Sequence, residues 1–163
     1  MTERCLACDL TTGDRPLPGG RVYATDAWVV EHCIGPLGVG TLLVKPFRHC
    51  TGVVHLTAPE AEELGPLLRA VSACVSELNQ AEQVYVCLWS HADWKPGHVH
   101  FLVQPAWRHQ AASFTAPGPT LQSEMFFANR PPDPEEVGAF CERARAFFAS
   151  RRHERWPGRS EDR

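Results

Sequence analysis

KPGHVHFLVQP (residues 95–105) is the stretch that decides the fold. From His98 onward its residues alternate. Val99, Phe101 and Val103 take one side, and His98, His100, Leu102 and Gln104 the other. A period of two predicts a strand, in which residues i and i+2 share a face about 6.6 Å apart. The valine and phenylalanine side has the composition of a core. The other side puts two imidazoles together on one face. That face is either an exposed strand surface on which two of the chain's eight histidines happen to fall, or part of a ligand set completed from elsewhere.

Outward from this strand, the rest of the chain reads as a meander. RVYAT (21–25) and AWVVEHC (27–33) are two short strands around a Thr25-Asp26 turn. The loop IGPLGVG (34–40) opens a third strand, TLLVKPF (41–47), and QVYVCLWS (83–90) is a fourth. Between the third and fourth lies the clearest helix, residues 55–80. Thr57 and Glu60 have capping-box spacing, and Leu64, Leu67, Leu68, Val71, Val75 and Leu78 mark one helical face. Gly65-Pro66 predicts a bend or a late start. Residues 12–20 and 108–130 read as turn-rich or aperiodic. Residues 131–152 form a second helix with Asp133 as N-cap and Pro134 at its first position, followed by a charged tail. This is an α+β pattern of about five strands and one long helix over residues 1–107, with a helical C-terminal extension over 108–163.

The 163 residues suit a core of ordinary size, and no internal repeat is evident. The net charge of −3 and the lack of a long basic run argue against a protein built to grip a nucleic acid polymer. One local pocket for a phosphorylated small molecule remains open. No apolar run approaches the ~20 residues of a membrane span, and MTERCLAC lacks the basic start and apolar middle of a signal peptide, so a cytoplasmic, membrane-free protein is expected.

Seven cysteines at irregular spacing argue against a disulfide scaffold. Cys74, Cys87 and Cys141 fall in apolar periodic segments and read as core. Cys5 and Cys8 form a CxxC pair, which suits either zinc or thiol redox chemistry. A redox pair wants a strand before it and a helix after it. This one stands at the chain start ahead of a Gly/Pro loop, which favours zinc. His49, in KPFRH just past the third strand, and His98 are the best partners. His98 on a metal would leave His100 to act at phosphorus as an imidazole nucleophile.

With these residues in place, GTLLVKPFRH, the LTAPEAEELGPLLRAV helix and HVHFLVQP together resemble the histidine-triad (HIT) superfamily of nucleotide hydrolases and transferases, over residues 5–107. The resemblance implies a five-stranded α+β fold, often a homodimer, that binds a nucleotide or nucleotide conjugate. It implies reaction at the α-phosphate through a covalent nucleotidyl-histidine, here on His100, and a structural zinc on Cys5, Cys8, His49 and His98. It implies a base pocket around Val30, His32 and Ile34. The sequence departs from the family at Leu102, where a third histidine is usual, at Cys87, often Asn, and at Lys95, often Ser or Thr. Lys95 and Gln104 are the residues that could replace the lost phosphate contacts. Trp89, Trp94 and Trp107 either stack on a ligand or, the favoured reading, pack against the C-terminal helix. Three functions therefore compete: an enzyme using His100, a nucleotide-binding protein whose activity went with the third histidine, and a zinc-stabilised interaction module.

Overall fold

The computed structural model describes residues 5–88, 90–92, 95–112 and 116–151; of these, His91, Ala92, Lys95, Pro96, Ala111 and Ala112 are described by their backbone alone. Trp89 and Trp94 and the charged tail from residue 152 lie outside the described residues. The main sheet is formed by β1 (Arg21–Ala24), β2 (Trp28–His32), β3 (Leu42–Pro46), β4 (Gln83–Leu88) and β7 (Phe101–Ala106), in the order β1-β2-β3-β7-β4. All its pairings are antiparallel. This is the expected five-stranded α+β architecture. The loop read before the histidine strand also holds a small hairpin, β5 (His91–Ala92) with β6 (Lys95–Pro96).

One face of the sheet carries the core. Trp28 and Val30 from β2, Leu42 and Val44 from β3 and Val103 from β7 meet Leu67, Ala70, Val71, Cys74 and Val75 of α2 (Ala58–Asn79). Each of these larger apolar side chains gains roughly 1.5–3 kcal/mol by leaving water. The expected capping box starts α2. Thr57 accepts from the Glu60 amide, and the Glu60 carboxylate accepts from the Thr57 amide at 2.7 Å. The helix therefore begins at Ala58 and runs on through Pro66, without the late start that Gly65-Pro66 suggested. The last helix, α4 (Pro134–Ser150), begins at the expected Asp133 cap, whose Oδ1 accepts from the amides of Glu135 and Glu136. Its Val137, Phe140, Cys141, Ala144, Phe147 and Phe148 join the same core.

Two helices that the sequence reading missed cover parts of the opposite face: α1 (Leu6–Thr12) and α3 (Pro119–Ala128). Alternation along β7 sends Leu102 and Gln104 to this side, but both are buried, at 6% and 0% exposure. The face is therefore not a solvent-facing polar surface. Gln104 Oε1 accepts from Gln122 Nε2 of α3 at 2.9 Å, and Gln104 Nε2 donates to the Leu37 carbonyl. Over β2 and β3, Glu31 and Lys45 form a buried ion pair beneath α1.

The histidine strand starts later than its pattern suggested. Val44 pairs with Phe101, and the ladder with β3 goes no further towards His98. Pro46, two residues on, has no N–H to extend it. The Val99 amide donates instead to the Cys50 carbonyl at 2.6 Å. His98 and His100 thus stand in an extended lead-in to β7. No helix of the described residues is long and apolar enough to cross a membrane.

Candidate metal centre and His100 cavity

The end of β3 organises the metal candidate. Cys5 is the N-cap of α1 and Cys8 lies in its first turn, so a single helical start presents both thiols. His49 follows β3 and His98 precedes β7. One ligand atom from each of the four lies within 4.8 Å of the others. Cys8 Sγ is 3.4 Å from both His49 Nδ1 and His98 Nδ1, and Cys5 Sγ is 3.7 Å from His98 Nδ1. The Pro46 carbonyl can only accept, so His98 Nε2, at 2.9 Å, carries the proton and Nδ1 turns its lone pair to the thiols. Burial holds His98 in its neutral form, with its pKa pushed down to about 4. A helix does follow the CxxC, as a redox pair would require. Burial first, and the neighbouring Cys5 second, push the Cys8 thiol up to about 11. Two thiols and two imidazoles converging on one point form a donor set that fits a tetrahedral ion such as zinc.

The loop carrying His49 is fixed from its other side. Arg48 donates to both Glu60 carboxylate oxygens, at 3.2 and 2.8 Å, and to the His55 carbonyl. The guanidinium holds the Glu60 carboxyl down at about 2. The capping carboxylate of α2 thereby also anchors the residue next to a metal candidate.

His100 turns elsewhere. Its Nδ1 lies 2.9 Å from the His98 carbonyl, which can only accept, so Nδ1 carries a proton, and whenever the ring is neutral its lone pair is on Nε2. The ring lines a cavity of about 360 Å³ with Cys33, Leu37, Leu43 and Leu102 from the sheet side and Gln122, Ser123, Phe126 and Phe127 from α3. Phe126 and Phe127 are 60% and 83% exposed, at the cavity's rim. Leu102 thus faces the same cavity as His100 and offers it no donor.

The other residues expected at this cavity are distributed differently. Val30 is fully buried in the core on the far face of the sheet. His32 donates from Nδ1 to the Cys33 carbonyl at 2.7 Å and accepts at Nε2 from the Gly40 amide at 3.0 Å. Burial lowers its pKa, and it braces the Cys33–Gly40 loop from behind. Gly40 has φ +90°, and a Cβ there would run into the Asn79 carboxamide, so glycine is required at this turn. Ile34 lines a separate 170 Å³ cavity with His32, Pro131 and Pro132. Gln104 supports the floor through Leu37 and Gln122 rather than reaching the space beside His100. The Lys95 backbone pairs with Ala92 in the hairpin. Trp107 meets the end of α2 and the turn after β7, its Nε1 donating to the Asn79 carbonyl at 3.2 Å and its ring stacking on His109. The wall supplied by α3 went unseen because its apolar residues do not fall on one face. Leu121 is buried while Phe126 and Phe127 point outward.

No family model matches the chain. An uncharacterised HIT-like protein of Borreliella burgdorferi is 25% identical over 114 residues, covering 68% of this chain and 81% of the relative. Among solved structures, a hypothetical histidine triad nucleotide-binding protein from Sulfolobus tokodaii superposes with TM-score 0.70 at 16% identity, covering 93% of this chain and 96% of its own. A zinc-bound histidine triad family protein from Mycobacterium smegmatis gives 0.65 at 21% identity, with 90% and 96% covered. These shares take the structural likeness past residue 107, where the sequence resemblance stopped. The fold is HIT-like. In sequence the chain is similar to the Borreliella HIT-like protein, and it carries His-x-His-x-Leu at residues 98–102.

Proposed function

We propose that the protein is a zinc-containing nucleotidyl hydrolase or transferase in which His100 is the nucleophile. The observation that carries this reading is the state of His100: its Nδ1–H is committed to the His98 carbonyl, and its ring lines the cavity. In the neutral form of an imidazole fixed in this way, the lone pair for attack is on Nε2. In the first step Nε2 attacks the α-phosphorus, the bond to the leaving group breaks, and that group departs with the electron pair and takes up a proton. In the second, water or another acceptor attacks phosphorus, the P–N bond breaks, Nε2 recovers its pair, and the acceptor's proton passes to solvent. The apolar cavity takes the base, with Phe126 and Phe127 beside it. Zinc on Cys5, Cys8, His49 and His98 is structural, and fixes the His98 main chain that holds His100. A cytoplasmic homodimer belongs to the same proposal; β4 is a sheet edge with Val86 and Leu88 45% and 43% exposed.

Leu102 supports a second reading, a nucleotide-binding protein without turnover, because it places no hydrogen-bond donor where a third histidine would stand. One experiment separates the two. The protein is incubated with mononucleotides, dinucleotides and nucleoside phosphoramidates, quenched in base, and searched for added mass on its peptides while product is followed by phosphorus NMR. Product and a His100 adduct support the enzyme. A thermal shift with neither supports the binding protein, and no shift with any nucleotide rejects both. On either reading Phe126→Ala should weaken nucleotide binding by about 10-fold through lost ring contact, read by titration calorimetry. Unchanged affinity would put the base elsewhere.

A further inference from the structure

We propose that the buried Lys45–Glu31 pair is the clamp that sets the position of the CxxC turn, and so the affinity of the metal centre. This rests on the metal reading given above. Lys45 Nζ lies 2.6 Å from Glu31 Oε2, with the two side chains 1% and 3% exposed. Buried ion pairs are commonly replaceable by apolar residues without loss of stability, so this one calls for a role beyond stability. Lys45 also donates to the Ala7 carbonyl at 2.7 Å. Ala7 stands between Cys5 and Cys8, so the ammonium grips the backbone of the turn that presents both thiols. The single O–H of Thr11 is shared between the same carbonyl, at 2.9 Å, and Glu31 Oε1, at 3.5 Å.

Burial gives α1 little hold. It has seven residues and none of them is buried. A helix this short is not stable by itself, and this one has no buried apolar residue to fix it on the sheet. The Lys45 clamp and whatever its cysteines bind are among the contacts that place it. The clamp also sits on the strand that organises the other two ligands. The carbonyl of Pro46, the next residue, orients His98, and His49 follows three residues later. One strand end therefore fixes the main chain of the CxxC, the ring of His98 and the approach of His49. Lys45 and Glu31 are positioning residues and touch no metal themselves.

The test is zinc affinity, measured by competition with a chromophoric chelator on the full chain, with melting temperature recorded in zinc and in excess chelator. Lys45→Met should weaken zinc by about 10- to 100-fold, the usual effect of losing an outer support of a metal site. Lys45→Arg should recover part of the loss, since it keeps charge and donors in a different shape. A purely structural role would lower both melting temperatures equally, whereas the clamp narrows the difference between them. If Lys45→Met does not fold, the Glu31→Leu, Lys45→Met double variant removes both charges together and is measured instead. Wild-type zinc affinity in either folded variant overturns the clamp while leaving the metal centre standing. A wild-type chain that binds no zinc brings down the metal centre and the clamp with it.

Discussion

Protein purified without chelators is expected to hold about one zinc per chain, and Cys5→Ala, Cys8→Ala to hold none. The variant should melt about 10 °C lower in the same zinc-containing buffer. The size follows from linkage: a ligand at a thousand times its dissociation constant stabilises by about 4 kcal/mol, and each kcal/mol moves a domain of this size by about 2–4 °C. The fold should survive. The main core lies between the sheet and α2 with α4, on the face away from α1, and uses none of the four ligands. Far-UV circular dichroism should therefore change little, unlike a zinc finger, which unfolds without its ion. Loss should be local, at α1, which has no buried residues to keep it docked. Full zinc content and an unchanged melting temperature in the double cysteine variant would remove these four residues as the metal site.

What the sequence made legible was whatever has a short period or a local signal. Alternation in HVHFLVQP separated Val99, Phe101 and Val103 from the histidine side. The Thr57–Glu60 box and Asp133-Pro134 placed two helix starts correctly. The four metal candidates could be named because CxxC is local, His49 follows a predicted strand and His98 opens another. The remainder depended on what crosses the sheet. Glu31 and Lys45 look like ordinary polar residues of half-buried strands, and nothing in their spacing says that a helix from the chain start lies over them. Gln104 looks like a ligand donor until Gln122, 18 residues on, is seen to occupy it. His32 looked like part of a base pocket, but alternation along β2 places it with Trp28 and Val30, on the side of Phe140. The α3 segment has apolar residues in no helical order because it serves two surfaces, burying Leu121 and presenting Phe126 and Phe127 at the cavity. Tertiary neighbours overrode composition at each of these positions.

His100→Ala is expected to abolish the nucleotidyl adduct and turnover while zinc content and melting temperature stay near wild type. The separation of effects comes from the geometry. His98 faces the thiols through Nδ1 and Pro46 through Nε2, and its main-chain carbonyl accepts from His100 Nδ1. Removing the His100 imidazole leaves both ring contacts of His98 in place, and the carbonyl it exposes borders a cavity that water can enter. His98→Ala should do the reverse, losing metal, stability and activity together. Wild-type turnover itself should be slow. Leu102 lies at 6% exposure against Cys33 and Leu37 and cannot donate to charge developing on phosphorus. The absence of one such donor typically costs about 100- to 1000-fold in rate. Slow turnover favours trapping, because an intermediate whose breakdown is slowed accumulates before the base quench. The adduct should therefore be found on His100 of the wild type and on no residue of His100→Ala. Mass added to any other residue, or turnover that survives His100→Ala, would refute the nucleophile. Nucleotide binding retained by His100→Ala with wild-type affinity, and no adduct in either protein, would leave the cavity as a binding site and Leu102 as the mark of its lost chemistry.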